Sequence, residues 1–171
     1  QPVKNISLPK GGAITINSKN WQNITEKAKS LRWCGITDRK GTSYDVKELG
    51  YNYYMDEISA TIGIEQLKKL DKMNAKRQEI AKRYSKEIKS EKKMPLIKNC
   101  SYHLFWILVK NRHQVIKKLN QVGIEVGTHY KPVHLLSLYK SKIKLKNTDL
   151  VHSQIITLPM HCNLKENEVS Y

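Results

Sequence analysis

A lysine stands close to a pair of glycines near the start of this chain, in the stretch KNISLPKGGAITIN that begins at Lys4. A lysine amine attacks a carbonyl carbon when it is partly desolvated or lies near other positive charge. Gly11 and Gly12 would let the backbone turn tightly and come close to a ligand. The stretch therefore indicates carbonyl chemistry at Lys4, although a solvated surface charge is the simpler interpretation of any single lysine in a basic chain.

A second group of polar side chains surrounds a proline in the stretch THYKPVH, which contains His129, Tyr130 and His134. Histidines five residues apart share neither a helix face nor a strand face, so we do not expect them to bind one metal ion. Two interpretations stay open at this point. The three side chains either line a ligand site or form a half-buried turn around Pro132.

The net charge is strongly positive, with 31 lysine and arginine residues against 15 acidic ones, or +16 in 171 residues. Such a charge is typical of proteins that bind nucleic acid. The lysines, however, are spread along the whole chain rather than clustered with arginine and aromatic residues. A solvated surface explains them, and a non-catalytic protein that binds nucleic acid or assembles with others is the alternative from a different functional class.

Cysteine usage and hydropathy predict a location inside the cell. The three cysteines, Cys34, Cys100 and Cys162, are far apart in the chain, and no two form a Cys-x-x-Cys pair. This pattern predicts neither a disulfide framework nor a zinc site and fits a reducing compartment. No apolar run approaches the roughly 20 residues that span a bilayer. We therefore expect a cytoplasmic protein without a metal ion and without membrane contact.

The elements that must position these side chains begin with a strand and a helix. Residues 13–16 (AITI) are predicted to form a short buried strand, and the apolar spacing over 18–33 predicts a helix that Gly35 ends. Trp21 is expected in the core of the protein. Residues 36–50 are polar and are predicted to form a loop.

A long helix is predicted to follow, with Asp56 as its N-cap and residues 57–88 free of proline. At 1.5 Å per residue it would span roughly 50 Å, which is too long for one small domain. It would therefore connect two bodies, with Gly63 permitting the close approach of a neighbour. Arg77 and Arg83 on this helix are expected to be ordinary solvated charges.

The last third of the chain predicts a small α/β lobe. Residues 102–109 (YHLFWILV) form an almost continuous apolar run, which predicts a strand, and 113–122 have the spacing of an amphipathic helix. Residues 124–130 are predicted to form a second strand and 149–155 a short helix. Strand, helix, strand and helix in this order are typical of a compact α/β domain.

Five stretches carry a resemblance that none of them carries alone. PVKNIS, GGAITIN, LRWCGI, LGYNYYMDEISATIGIEQLKKLD and GIEVGTHYKPVH occur in one order over the chain. Together they resemble the DegT/DnrJ/EryC1/StrS family of pyridoxal-phosphate (PLP) sugar aminotransferases. The resemblance covers residues 2–169.

The resemblance implies a role for each candidate site residue. Lys4 would carry PLP as a Schiff base and move the proton during amino transfer. Asn52 would come from the opposite subunit of a homodimer and donate its amide to the cofactor phosphate. His129, Tyr130 and His134 would line the substrate side.

Two positions depart from the family pattern. Pro9 and Lys10 stand where members usually have Gly-Glu, and Tyr54 stands where members usually have an arginine. The second change removes a cation from the edge of the phosphate site that the resemblance implies.

The resemblance also implies a fold, a domain division and an activity. The fold would be α/β, the C-terminal part of an aspartate-aminotransferase-like protein of PLP fold type I. Residues 1–55 would be a remnant of the large domain, 56–90 the connecting helix and 91–171 the small C-terminal domain. Such a chain would be an incomplete half, inactive by itself.

The complete protein would transfer an amino group from glutamate, which becomes 2-oxoglutarate, to a keto group of a nucleotide-linked sugar in amino-sugar and polysaccharide biosynthesis. A cyclic polyol ketone or an antibiotic precursor is the alternative acceptor within the family. Neither nucleic acid nor a membrane is an expected partner.

Overall fold

The computed structural model describes residues 3–170 and divides them into two compact units, one ending at Leu70 and the other beginning at Asp71. The boundary falls inside the longest helix, which therefore contributes residues to both units. The division into 1–55, 56–90 and 91–171 stays a prediction.

Helices outnumber strands in the described part of the chain. The α-helices are α1 (Trp21–Arg32), α2 (Glu57–Glu87), α3 (Arg112–Gln121), α4 (Lys146–Gln154) and α5 (Glu166–Val169). The strands are β1 (Ile36–Lys40), β2 (Ser43–Val46), β3 (Phe105–Leu108) and β4 (Ile155–Leu158). Single 3-10 turns cover Val133–Leu135 and Ser137–Tyr139. None of the helices between residues 3 and 170 combines the length and the apolar character needed to cross a membrane.

The predicted strand at 13–16 does not form. Ile14 is 82% exposed, and neither of the two-stranded sheets between residues 3 and 170 includes this segment. A strand needs a neighbour to accept and donate its backbone hydrogen bonds, and these residues have none among the described strands. Helix α1 begins three residues later than predicted, and Trp21 at its start is 52% exposed, so its expected place in the core was also wrong.

A β-hairpin occupies the segment that was predicted to be a loop. Strands β1 and β2 are antiparallel, with Ile36 opposite Val46 and Lys40 opposite Ser43, which leaves a two-residue connection. Glycine at the first position of that connection, Gly41, has φ +59°, the backbone conformation that short hairpin turns require. The polar composition of the segment hid the hairpin, because all of β2 is exposed.

Helix α2 confirms the predicted long helix within one residue at its C-terminal end. The Asp56 carboxylate accepts hydrogen bonds from the backbone N–H (2.7 Å) and the hydroxyl (2.9 Å) of Ser59. These bonds, the backbone one above all, hold the pKa of the Asp56 carboxyl below its ordinary value. A Cβ added at Gly63 would lie 3.0 Å from the Leu8 side chain, so the expected close approach at this glycine is confirmed.

The described core lies in the second unit, where α2 packs on the antiparallel pair β3 and β4. Phe105 faces Leu158 and Ile107 faces Ile156 across this pair. The buried apolar side chains come from α2, from both strands and from their flanking loops: Ile80, Ala81, Tyr84, Tyr102, Phe105, Ile107, Ile156, Met160 and Leu164. Their burial provides the main stabilisation of this unit.

The second predicted strand of this unit is wrong. Residues 124–130 pair with β4 only at Gly127, which exchanges backbone hydrogen bonds with Thr157. Strand β4 forms instead from the stretch IITL, none of which was predicted to be a strand, and its first residue, Ile155, was assigned to the preceding helix. Its four residues have no clear alternation, so the partner that they find in β3 decides their conformation.

Arg77 is 7% exposed, and its expected solvation was wrong. Its guanidinium Nη1 donates to the carbonyl oxygens of Tyr102 (3.3 Å), His103 (3.4 Å) and Met160 (2.8 Å). Desolvation lowers the pKa of Arg77 from its ordinary value. This arginine therefore joins α2 to the two loops at one end of the sheet, the loop that leads into β3 and the loop that follows β4.

Candidate active site

Lys4 lies on a tight turn of the first unit. Its carbonyl oxygen accepts hydrogen bonds from the backbone N–H (2.8 Å) and the hydroxyl (2.9 Å) of Ser7, and its side chain is exposed. Leu8, directly after the turn, packs on α2 at Gly63. The hydrogen bonds from Ser7 close the turn, and Leu8 attaches it to α2. The side chain of Lys4 lies at the surface of this unit.

Asn52 is held by a crossing of two backbone segments. Gly35 and Gly50 approach so closely that a Cβ on Gly50 would lie 2.2 Å from the Gly35 nitrogen. Beyond this crossing, the N–H of Cys34 donates to the carbonyl of Tyr51. These contacts make Trp33 and Asn52 direct antiparallel partners.

The Asn52 side chain is exposed and oriented by its own turn. Its Oδ1 accepts a hydrogen bond from the backbone N–H of Tyr54 at 3.4 Å. Because the oxygen faces the backbone, the amide –NH2 group is directed away from it, where it can donate to an anion.

His129 and Tyr130 line a cleft of about 480 Å³ in the second unit. One wall is the loop from His129 to Val133, and the other is α4 with the start of β4. The lining residues are His129, Tyr130, Lys131, Pro132, Val133, Asn147, Thr148, Val151, His152 and Ile155. A mostly apolar cleft with a few polar groups has the character of a small-molecule site.

Strand β4 fixes the histidine of this cleft. His129 Nδ1 and the hydroxyl of Thr157 are hydrogen-bonded at 2.6 Å, while the Thr157 backbone pairs with Gly127. The His129 and Tyr130 rings then meet edge to face, 4.7 Å apart between centroids. Both rings are therefore positioned by the sheet rather than by the loop alone.

His134 has a different position from the other two predicted residues. It does not line the cleft, its side chain is 11% exposed, and its Nε2 is bonded to the Asp149 carboxylate at 2.9 Å. This contact ties the 3-10 turn Val133–Leu135 to α4. His134 is thus placed to hold the two walls of the cleft together.

The family follows from the match of the whole chain. The sequence pattern of the DegT/DnrJ/EryC1/StrS aminotransferase family matches residues 1–171. The chain belongs to this family. Its fold is α/β and corresponds to the C-terminal part of a fold type I aminotransferase, as the resemblance predicted.

Proteins of known sequence and structure extend the comparison. The chain is 36% identical to a UDP-4-amino-4,6-dideoxy-N-acetyl-beta-L-altrosamine transaminase of Campylobacter jejuni, over 96% of this chain and 47% of the relative. A DegT DnrJ EryC1 StrS aminotransferase from Brucella abortus superposes with a TM-score of 0.86 at 28% identity, over 99% of this chain and 46% of that one. The PLP form of Spr1654 from Streptococcus pneumoniae gives 0.75 at 25% identity, over 92% of this chain and 43% of that one. The chain spans about half the length of the relatives that it matches.

The side chains of the first unit fit two chemical needs of PLP. Lys4 offers an amine for the aldehyde, and the oriented amide of Asn52 offers a donor for the phosphate.

The sequence contained no signal for the residues that orient the two histidines. Thr157, the partner of His129, and Asp149, the partner of His134, are separated from them along the chain. His152 was missed as well. Its Nδ1 is buried without a partner in the described part of the chain, and the residue lines the cleft.

Proposed function

We propose that this chain is the C-terminal part of a PLP-dependent enzyme that transfers an amino group from glutamate to a keto group of a nucleotide-activated sugar. The observation that carries this proposal is the 36% identity to a UDP-sugar transaminase over 96% of the chain. The product would serve amino-sugar and polysaccharide biosynthesis. We expect the enzyme in the cytoplasm.

Lys4 has two tasks in this proposal. Its amine binds the cofactor aldehyde, which keeps the cofactor in place between turnovers. When substrate has taken that position, the same amine moves the proton at the substrate carbon that gains or loses nitrogen. PLP, when bound, supplies the electron sink that makes this carbon acidic. The closed turn at Lys4 supports both tasks, because two hydrogen bonds from Ser7 to the Lys4 carbonyl fix the backbone from which the amine extends.

The cleft of the second unit is proposed as part of the substrate site. Pro132, Val133 and Ile155 give it apolar surface, and His129 and Tyr130 give it hydrogen-bonding groups. A sugar ring presents both apolar C–H faces and hydroxyl groups, so this mixture suits it. His134 would act as a positioning residue, since it holds the loop against α4 through Asp149.

The complete protein is proposed to be a homodimer in which Asn52 contributes to the partner's cofactor site. The exposed tyrosines that flank Asn52, Tyr51 and Tyr53, stack on each other at 5.4 Å between centroids. Exposed aromatic side chains in a row are typical of protein interfaces. They support an interface at this segment.

Direct assay tests the proposed reaction. The full-length protein, given PLP, glutamate and a panel of UDP-linked keto sugars, should form 2-oxoglutarate and an amino sugar. We expect the 171-residue chain in the same assay to form neither, because the family places the partner of the pyridine nitrogen before the lysine. Absence of turnover by the full-length protein on every sugar would contradict the proposed substrate class. Turnover by the short chain near a typical enzyme rate of about 10 s⁻¹ would contradict the incomplete site.

Asn52 allows a sharper test of the phosphate role. Asn52→Ala should weaken PLP binding by about 1.5–3 kcal/mol, the usual contribution of a hydrogen bond to a charged group. The measurement is the dissociation constant for PLP, with Asn20→Ala on the same unit as the matched control. Equal affinities of the two variants would remove Asn52 from the cofactor site.

A further inference from the structure

Two arginines of the first unit are seated on aromatic rings beside Asn52. The Arg32 guanidinium lies 4.9 Å from the centroid of the Tyr54 ring, and that of Arg39 lies 4.6 Å from the Trp33 ring. The two rings also contact each other, with 6.4 Å between their centroids. Both arginines are exposed. The result is one surface on which two cations are held by two touching rings.

Backbone pairing brings this surface to the Asn52 amide. Trp33 and Asn52 are antiparallel partners between two hydrogen bonds, Cys34 N–H to Tyr51 O and Tyr53 N–H to Arg32 O. Partners of this kind place their side chains on one face, with Cβ atoms about 4.5–5.5 Å apart. The other ring belongs to Tyr54, two residues after Asn52 along the chain. The backbone N–H of Tyr54 donates to Asn52 Oδ1. Each arginine therefore rests on a direct neighbour of Asn52.

The other three arginines of the chain are used differently. Arg77 donates to three backbone carbonyls, Arg83 to the Glu87 carboxylate and the Glu166 carbonyl, and Arg112 to the His152 carbonyl. The described contacts of the Arg32 and Arg39 guanidinium groups are with ring faces. A guanidinium that lies over a ring keeps its N–H donors available at its edge, which is the geometry that binds a phosphate oxygen pair.

The acidic side chain nearest to Arg39 along the sequence already has a cationic partner. Asp38, next to Arg39, is bonded to the Lys47 ammonium, which holds the pKa of the Asp38 carboxyl below its ordinary value. Its charge is therefore paired inside the hairpin, so it leaves the Arg39 charge available to a ligand.

We infer that Arg32 and Arg39 bind a phosphate group together with Asn52. The ligand class is a phosphate ester, and two sources share this chemistry: the monoester of PLP and the diphosphate of a nucleotide-linked sugar. The inference rests on the proposed function. It adds to that proposal two cation ligands, and it assigns the rings of Trp33 and Tyr54 as the supports that orient them.

The test compares ligands with and without the phosphate in the full-length protein. We would measure the dissociation constants of PLP, pyridoxal and UDP for Arg32→Gln, Arg39→Gln and the double variant. Lys40→Gln is the matched control, because it removes one exposed cation from the same hairpin. Arg32→Lys and Arg39→Lys keep the charge but lose the planar fork, and far-ultraviolet circular dichroism checks that every variant is folded.

The two sources give different results. If the ligand is the cofactor phosphate, each glutamine variant binds PLP about tenfold more weakly than the wild type and binds pyridoxal with unchanged affinity. If the ligand is the diphosphate of the nucleotide, the affinity for UDP falls by a similar factor and the affinity for PLP does not change. Folded variants that bind PLP and UDP as Lys40→Gln does would overturn the inference while leaving the proposed function intact. Wild-type protein that binds neither ligand would overturn both.

Discussion

Lys4→Ala in the full-length protein should lower kcat for amino transfer by at least about a thousandfold, the loss expected when a positioned proton-transfer group is removed. The same variant should fail to form a covalent adduct when PLP and borohydride are added, since reduction fixes the cofactor to the amine that holds it. Peptide mapping of the reduced wild-type protein should find the pyridoxyl group at Lys4. Exogenous methylamine should restore part of the activity of the alanine variant, because it can replace the missing amine.

A matched control separates chemistry from charge. Lys19 is also an exposed lysine of the first unit, so Lys19→Ala removes the same charge without touching the Ser7 turn. It should keep both the adduct and the activity. A pyridoxyl group on another lysine of the wild-type protein would contradict the role of Lys4. Full activity in Lys4→Ala would contradict the proposed mechanism as a whole.

Helix α2 shows which features could be predicted from the sequence. Its start depends on Asp56 and Ser59, three residues apart, and its continuation depends on a long stretch without proline. Both determinants are local, so the pattern contains them. Gly35 has the positive φ that the sequence predicted, +78°, but α1 ends one residue earlier than expected, so Cys34, with φ +57°, follows the C-cap Trp33 directly.

The strands show why other features could not be predicted. Strand β4 exists because β3 lies beside it, and the two are about fifty residues apart in the chain. The segment 13–16 has a similar composition, with two isoleucines and a threonine as in β4, but it has no described partner and forms no strand. Strand formation is thus decided by a distant neighbour, which composition and periodicity do not report.

In the candidate site, too, some residues could be predicted from local sequence motifs and others depend on distant contacts. Lys4, Asn52, His129 and Tyr130 were selected from motifs, which record residue types in order along the chain. Arg32 was not, because its relation to Tyr54 depends on the bridge between Trp33 and Asn52. The family pattern alone indicated that Tyr54 removes a cation. The structure shows the Arg32 guanidinium over that ring, so a cation is present at this position after all.

Arg77 has the largest expected effect on stability. Arg77→Met keeps most of the side-chain volume but removes the donors to Tyr102, His103 and Met160. Each buried carbonyl that loses its donor costs about 1–3 kcal/mol. Methionine carries no charge, so the variant avoids the cost of desolvating the guanidinium, which offsets part of this loss. We expect the free energy of opening of the β3–β4 pair to fall by about 2–4 kcal/mol, and by more for Arg77→Ala, which also leaves a cavity.

Hydrogen exchange of the peptides that cover β3 and β4 measures this free energy locally, so the test does not require the whole protein to unfold in one step. Arg83→Met is the control on the same helix. Arg83 is more exposed, with a third of its side chain accessible. Its two partners, the Glu87 carboxylate and the Glu166 carbonyl, are bonded at the exposed surface and not to the loops beside β3 and β4, so we expect a change below about 1 kcal/mol in these strands. If Arg77→Met protected the two strands better than the wild type, the cost of desolvating the guanidinium would exceed the value of its three hydrogen bonds. Arg77 would then be retained for a reason other than stability, and the joint that it makes between α2 and the sheet would need a functional explanation.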